Sequence, residues 1–206
     1  MSLLDGKIYM VYGRRGSGKS YMVKKMMRGY PRIIAFDPVA EYGKLRGWKT
    51  AHSLEELHKL IIANWKKGFK ISFPVAIHHQ QALHDLSVYV WELQEGARQK
   101  IMIVAEELDK GFPSKQMKDS LYGFGQLIMQ GRHRGVEIIG VTQRPKKVNA
   151  DIRSNLEAAY FFRVRDEVDI KFIRDIVGRE LIEKYQSMKP YYHMKVTDNE
   201  VTFEKA

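Results

Sequence analysis

Gly13-Arg14-Arg15-Gly16-Ser17-Gly18-Lys19-Ser20 matches the spacing G-x-x-x-x-G-K-[ST] at every fixed position. Glycine-rich backbone can curl so that successive N–H groups point inward at phosphate oxygens, and a helix that follows adds the positive end of its dipole. In such a cradle Lys19 reaches the β- and γ-phosphates of a nucleotide, and the Ser20 hydroxyl ligates Mg²⁺. Two further groups could complete the chemistry. Glu106-Glu107 stands at the carboxyl end of the apolar run Ile101 to Ala105. Two carboxylates there are costly unless a cation meets them, so Glu106 is assigned to Mg²⁺ support and Glu107 to deprotonating the attacking water, with Asp109 a weaker substitute for either. Gln143, uncharged and both donor and acceptor, ends another apolar run and could sense the γ-phosphate or position that water.

These residues need strands and helices to hold them. Ile8-Tyr9-Met10-Val11-Tyr12 reads as the strand before the loop and Tyr21 to Arg28 as the helix after it, the context the motif requires. Strand patterns follow at Arg32–Phe36, Phe69–Phe73, Ile101–Ala105, Val136–Val141 and Ala158–Val164. Helical spacing marks Leu54, Leu57, Ile61 and Trp65, then Leu83, Leu86, Val90 and Leu93, then Met117, Leu121, Phe124 and Ile128, then Ile170, Ile173 and Val177. Ser53 with Glu56 three positions on suggests a capping box. Tyr191–Val196 and Val201–Phe203 read as a terminal hairpin around Asp198-Asn199. The alternation predicts an α/β fold: a mostly parallel sheet flanked by helices, with a C-terminal β-hairpin. Asp37 and Glu41, just past a strand end, could face the nucleotide or merely start a turn. His78, His79 and His84 suggest a metal only weakly, since no other ligand shares their spacing.

At 206 residues the chain suits a single domain over 1–206, without repeats or linkers. No stretch is long and apolar enough to span a membrane, and the N-terminus lacks the features of a signal peptide. The absence of cysteine excludes disulfides, thiolate metal sites and cysteine nucleophiles. The net charge of +11 is uneven: residues 1–53 carry 11 basic and 3 acidic side chains, and residues 110–153 carry 9 and 3. A nucleotide uses few of these charges, so DNA or RNA is the natural partner for the rest, with Lys110, Lys115, Lys118, Lys146 and Lys147 as candidates.

The ordered set G-R-R-G-S-G-K-S, F-D-P-V-A-E-Y, I-M-I-V-A-E-E and Q-G-R-H-R-G-V-E-I-I-G-V-T-Q-R-P resembles the FtsK–HerA superfamily of P-loop ATPases over about residues 8–165. The small size resembles its viral genome-packaging branch. The resemblance implies a RecA/FtsK-like motor domain that hydrolyses ATP with Mg²⁺ and threads double-stranded DNA through a homo-oligomeric ring of five or six subunits. It implies ATP sites at subunit interfaces and an arginine finger in trans, which Arg132 matches, with Arg134 and Arg144 as alternatives. Partners at a capsid vertex or membrane-associated proteins, and a place in the host cytoplasm or the virion, follow in the same way. One departure is Glu106, where the family usually carries Asp.

Three other readings compete. A HerA-like cellular or conjugation motor would carry further amino-terminal or membrane domains, whereas the first strand here starts at Ile8. A small nucleoside or nucleotide kinase would need an arginine-rich lid and an acceptor pocket. A nucleotide-binding subunit without turnover would not need Glu107.

Overall fold

The computed structural model describes residues 4–115 and 117–206. Five-residue apolar runs become strands because a strand covered on both faces can be apolar throughout. Thus β1 (Ile8–Tyr12), β2 (Arg32–Phe36), β4 (Phe69–Phe73) and β5 (Ile101–Ala105) have the bounds read from sequence, and every residue of β2 and β5 is buried. β3 is the pair Lys49–Thr50, β6 runs Val136–Thr142, and β7 is Ala158–Phe162. β8 (Tyr192–Val196) and β9 (Val201–Lys205) form the terminal hairpin, closed by the Thr197 amide donating to Glu200 O.

The nine strands among the described residues lie in one sheet, in the order β3-β4-β2-β5-β6-β1-β7-β8-β9. Every pairing from β3 to β7 is parallel, and β7·β8 and β8·β9 are antiparallel. Parallel strands present their carboxyl ends on one edge, and there the loops after β1, β2, β5, β6 and β7 meet. β6 lies between β1 and β5, so it separates the strand before the phosphate loop from the strand before the two glutamates.

Alternate residues along each strand serve two apolar layers. One layer, holding Met10, Ile34, Ile103, Ile138 and Phe161, is covered by α2 (Leu54–Asn64), α3 (His79–Leu93), α5 (Gly123–Gln130), α6 (Glu167–Val177) and α7 (Arg179–Gln186). The other, holding Val11, Ile33, Val104, Ile139 and Phe162, is covered by Met22 and Val23 of α1 (Lys19–Met26) and by Tyr42. Between β5 and α5 lies the single turn α4 (Leu108–Gly111).

The capping box at α2 forms with a one-residue offset. Ser53 Oγ accepts from the Glu56 amide at 3.1 Å, while Glu56 Oε2 accepts from the amide of His52 rather than Ser53. The helix expected to pass through Met117 and Leu121 is shorter. Asp119–Leu121 is a 3₁₀ turn and α5 starts at Gly123, whose amide donates to His84 Nδ1 at 2.9 Å. A Cβ on Gly123 would lie 2.9 Å from that same nitrogen, so close approach to α3 fixes where the helix begins. β7 stops at Phe162, two residues short of the expected Val164, because the Arg163 carbonyl turns to accept from the phosphate loop.

Candidate nucleotide-hydrolysis site

The loop of residues 13–18 leaves β1 tied to both neighbouring strands: the Gly13 amide donates to Thr142 O at 3.2 Å and the Arg14 amide to Arg163 O at 3.0 Å. The glycines answer specific demands. Gly13 (φ +151) packs so closely that a Cβ would lie 2.5 Å from Phe162 Cβ. Gly18 (φ +113), the N-cap of α1, would place a Cβ 3.0 Å from Phe162 Cε1. Side chains are disfavoured at both conformations, and the fully buried Phe162 is the anvil on which the loop is shaped. Ser17 Oγ is buried inside the loop without a partner among the described residues. Lys19 Nζ crosses the concavity to donate to Arg14 O at 3.1 Å. Burial holds its pKa below the ordinary lysine value, and the charges of Glu106 and Glu107 pull it back up. Ser20 is exposed in the first turn of α1, whose amides have no acceptor within the helix. An orphaned hydroxyl, an ammonium and a helix start fit a polyphosphate.

Across from Lys19, the loop after β2 has a different role from the one its acids suggested. Asp37 is fully buried and accepts from the Glu41 amide (3.1 Å), the Tyr42 amide (2.8 Å) and Ser72 Oγ (2.8 Å). Its carboxylate is consumed in folding that loop, and Glu41 is exposed. The loop thereby delivers the Tyr42 hydroxyl to Glu106 Oε1 at 2.7 Å. Burial raises the Glu106 pKa to about 7; the Tyr42 hydrogen bond and Lys19 oppose that rise, and Asp37 and Glu107 add to it. A carboxyl held so reluctantly ionised is one a cation would restore. Glu106 and Ser20 are therefore the residues that would hold Mg²⁺, an ion commonly bound through one or two protein ligands plus substrate phosphates.

Glu107 sits in the left-handed region (φ 50, ψ 43) as the N-cap of α4, a strained conformation for a side-chain-bearing residue. Gln143 Nε2 donates to its Oε1 at 3.2 Å, and Lys110 Nζ lies 3.5 Å from its Oε2. The structure thus brings Glu107 and Gln143 together through the β5·β6 pairing. Asp109 is engaged elsewhere: it accepts from Thr142 Oγ1 at 2.5 Å and braces α4 against the end of β6.

The three arginines separate. Arg134 stacks its guanidinium 3.6 Å from the Trp91 ring centroid and donates to Trp91 O at 2.8 Å, so it is spent on packing. Arg144 lies at the carboxyl edge beside Gln143, held by Asp169 (2.9 Å) and Asp166 (3.1 Å), with Arg14, Arg15 and Arg165 lining the same cavity. Arg132 is exposed at the opposite edge, in the 3₁₀ turn before β6, where its carbonyl accepts from the Gly6 amide. The seven residues of β6 lie between it and the loop, roughly 23 Å at strand rise. It cannot touch a phosphate held by its own chain.

Among the described residues no group of three His, Cys, Asp or Glu is placed to hold a metal. His84 already accepts from Gly123, and the His79 ring meets Phe36 edge-on. Sequence reasoning missed Tyr42, Thr142, Asp166 and Asp169. None carries a signal in its local spacing, because each contact joins separate elements of the fold.

The family model for zonular occludens toxin (Zot) matches residues 7–197. The chain belongs to the Zot family. No curated protein matches it. Among solved structures it is similar to the genome-packaging NTPase B204 of Sulfolobus turreted icosahedral virus 2 with ATP-γS, at TM-score 0.76 and 20% identity, covering 97% of both chains. It is also similar to B204, the DNA-packaging ATPase of Sulfolobus turreted icosahedral virus, at TM-score 0.74 and 18% identity over 100% of this chain and 98% of that one. VirB4 of Thermoanaerobacter pseudethanolicus follows at TM-score 0.71 and 12% identity, over 96% and 88%. The architecture of this Zot-family chain is thus the P-loop ATPase fold that these structures share.

Proposed function

We propose that this chain is an ATP-hydrolysing motor that translocates double-stranded DNA, acting over its whole length 1–206 as one motor domain in viral genome packaging. The observation that carries the hydrolytic part is the contact of Gln143 with Glu107 beside the Lys19–Glu106 cradle. A kinase has no use for a general base paired with a water-positioning amide at the γ-phosphate end. The backbone of Gly13 to Ser20, with Arg14 and Arg15 at its rim, binds the phosphates, and Lys19 neutralises charge at their β and γ positions. Mg²⁺, when bound through Ser20 and Glu106, supplies charge neutralisation at the transferred phosphoryl group. Glu107 takes the proton from the attacking water, and Gln143 orients that water. Arg132, too distant to act within its own chain, supplies charge to a neighbour's site in a ring of five or six subunits.

The DNA part rests on charge and placement. An isolated bridge pairs Pro113 with Val148, and the Ser114 amide donates to Lys147 O, so the lysine-bearing segments after α4 and after β6 run side by side. Lys110, Lys115, Lys146 and Lys147 are exposed there, along the edge that holds Glu107 and Gln143. Phosphate contacts at that ridge would reach the hydrolytic pair directly. The B204 proteins, which share this fold, package genomes.

The test is phosphate release with and without double-stranded DNA over a salt series. Turnover should rise with DNA, the stimulation should fall steeply with salt, and Glu107→Gln should lower kcat by about 10²- to 10⁴-fold. Transfer of label from ATP to a nucleoside monophosphate, or an unchanged rate in Glu107→Gln, would remove this reading.

A further inference from the structure

We infer that Tyr191 is the platform on which the nucleobase stacks, an inference that rests on the nucleotide reading of the phosphate loop. The direction of a bound triphosphate follows from the site. Its γ end belongs beside Glu107 and Gln143, at the ends of β5 and β6 on one side of β1. The nucleoside end therefore runs the other way, over the carboxyl edge of β7 and past the start of β8. Phe162 of β7 pairs with His193 of β8, so the residues just before β8 stand level with the phosphate loop. Tyr191 is there.

Three observations single it out. First, its ring touches the loop: the position of a Cβ on Gly18 would be 3.5 Å from Tyr191 Cδ1. Second, the residue is 58% exposed although its ring lies against the same Gly18 position that Phe162 packs on. Third, its backbone is left-handed at φ +65, a conformation that disfavours any side-chain-bearing residue. Its carbonyl accepts from the Ala206 amide at 2.9 Å, so the strained turn is pinned to the end of the chain. Glycine or asparagine would suit this conformation better, and an exposed ring returns little burial energy for the strain. A strained residue beside a ligand cradle is better understood through what its side chain meets when the ligand is present. The π-face of a tyrosine accepts any base, because stacking does not read hydrogen-bonding edges. The platform should therefore give affinity with little discrimination between adenine and guanine.

The test compares two ligands that differ only in the part Tyr191 would touch. Calorimetric titration of the full chain uses Mg²⁺ with a non-hydrolysable ATP analogue, and separately Mg²⁺ with tripolyphosphate. Tyr191→Ala should weaken the nucleotide analogue by about 5- to 100-fold and leave tripolyphosphate within about twofold, while Tyr191→Phe keeps both affinities. Equal affinities in Tyr191→Ala and the parent would overturn the inference, and so would equal losses for both ligands, which would make Tyr191 a prop of the loop. Lost self-association with unchanged nucleotide affinity would assign the ring to a subunit contact and overturn it as well. A parent protein that binds neither ligand would instead overturn the nucleotide reading beneath it.

Discussion

Replacing Tyr42 by Phe removes one oxygen and should change the ionisation of Glu106 more than the fold. The hydroxyl donates to Glu106 Oε1 at 2.7 Å, where burial raises the carboxyl pKa from an ordinary 4.5 to about 7. A hydrogen bond to a charged group is worth about 1.5 to 3 kcal/mol and one pKa unit about 1.36, so its loss should carry the pKa up by roughly 1 to 2 units. At pH 7 Glu106 would fall from about half ionised to about a tenth or less. Because the folded pKa lies above the unfolded one, the metal-free parent loses stability as pH rises from 4.5 to about 7, by about 3 kcal/mol. The phenol recovers part of that loss, since it stabilises the carboxylate. Tyr42→Phe should therefore destabilise little at pH 5 and by about 1.5 to 3 kcal/mol at pH 9. Carboxyl ¹³C titration of Glu106 in metal-free protein and urea unfolding at the two pH values measure both quantities. In the same variant the Mg²⁺ concentration needed for nucleotide binding should rise at pH 7 and return toward the parent value at pH 9. An unmoved Glu106 pKa, or a destabilisation equal at pH 5 and pH 9, would refute the reasoning.

Arg132→Ala should bind nucleotide within about twofold of the parent yet lose turnover by about 10³-fold or more, as removal of a trans finger does. Mixing it with Glu107→Gln subunits should restore part of the rate, because some interfaces then pair an intact Glu107 with an intact Arg132; no recovery in phosphate-release assays would exclude action in trans. His193 is buried beside Tyr160 and Phe162 with neither ring nitrogen partnered among the described residues, and burial lowers its pKa, opposed by Glu204 and assisted by Lys25 and Lys195. Its folded pKa lies below the unfolded value, so the parent should lose stability as pH falls below 6.5, and His193→Phe should flatten that slope in urea unfolding between pH 7.5 and 5.

The strands with the clearest bounds in the sequence are those whose apolar runs are interrupted abruptly, by Gly13 after β1, Asp37 after β2 and Pro74 after β4. α7 escaped notice because its buried stripe is only Ile182 and Tyr185, too short for periodicity to show, and β3 is two exposed residues held by β4 alone. At the site, Lys19 was legible from the fixed spacing of its glycine-rich loop, and Glu107 and Gln143 because each follows closely on the end of its own apolar run, where parallel pairing does the rest. Tyr42 was not. Its contact spans 64 residues and exists because Asp37 spends its carboxylate on the intervening loop. Local spacing holds no record of that, nor of the left-handed turn that lifts Tyr191 against Gly18.

The separation of Arg132 from its own loop constrains assembly. For one chain's Arg132 to serve another's phosphates, the amino edge of one sheet must approach the carboxyl edge of the next. Those are different surfaces, so the contact is heterologous, and repeating it either closes a ring or runs on as a filament. Arg144 would impose no such rule: it already lies beside Gln143 in its own chain, steadied by Asp166 and Asp169. A defect in Arg144→Ala should therefore persist in mixtures with Glu107→Gln subunits, whereas that of Arg132→Ala should be partly relieved. A finger that mixing can replace requires a neighbour, placed so that its amino edge meets this chain's carboxyl edge.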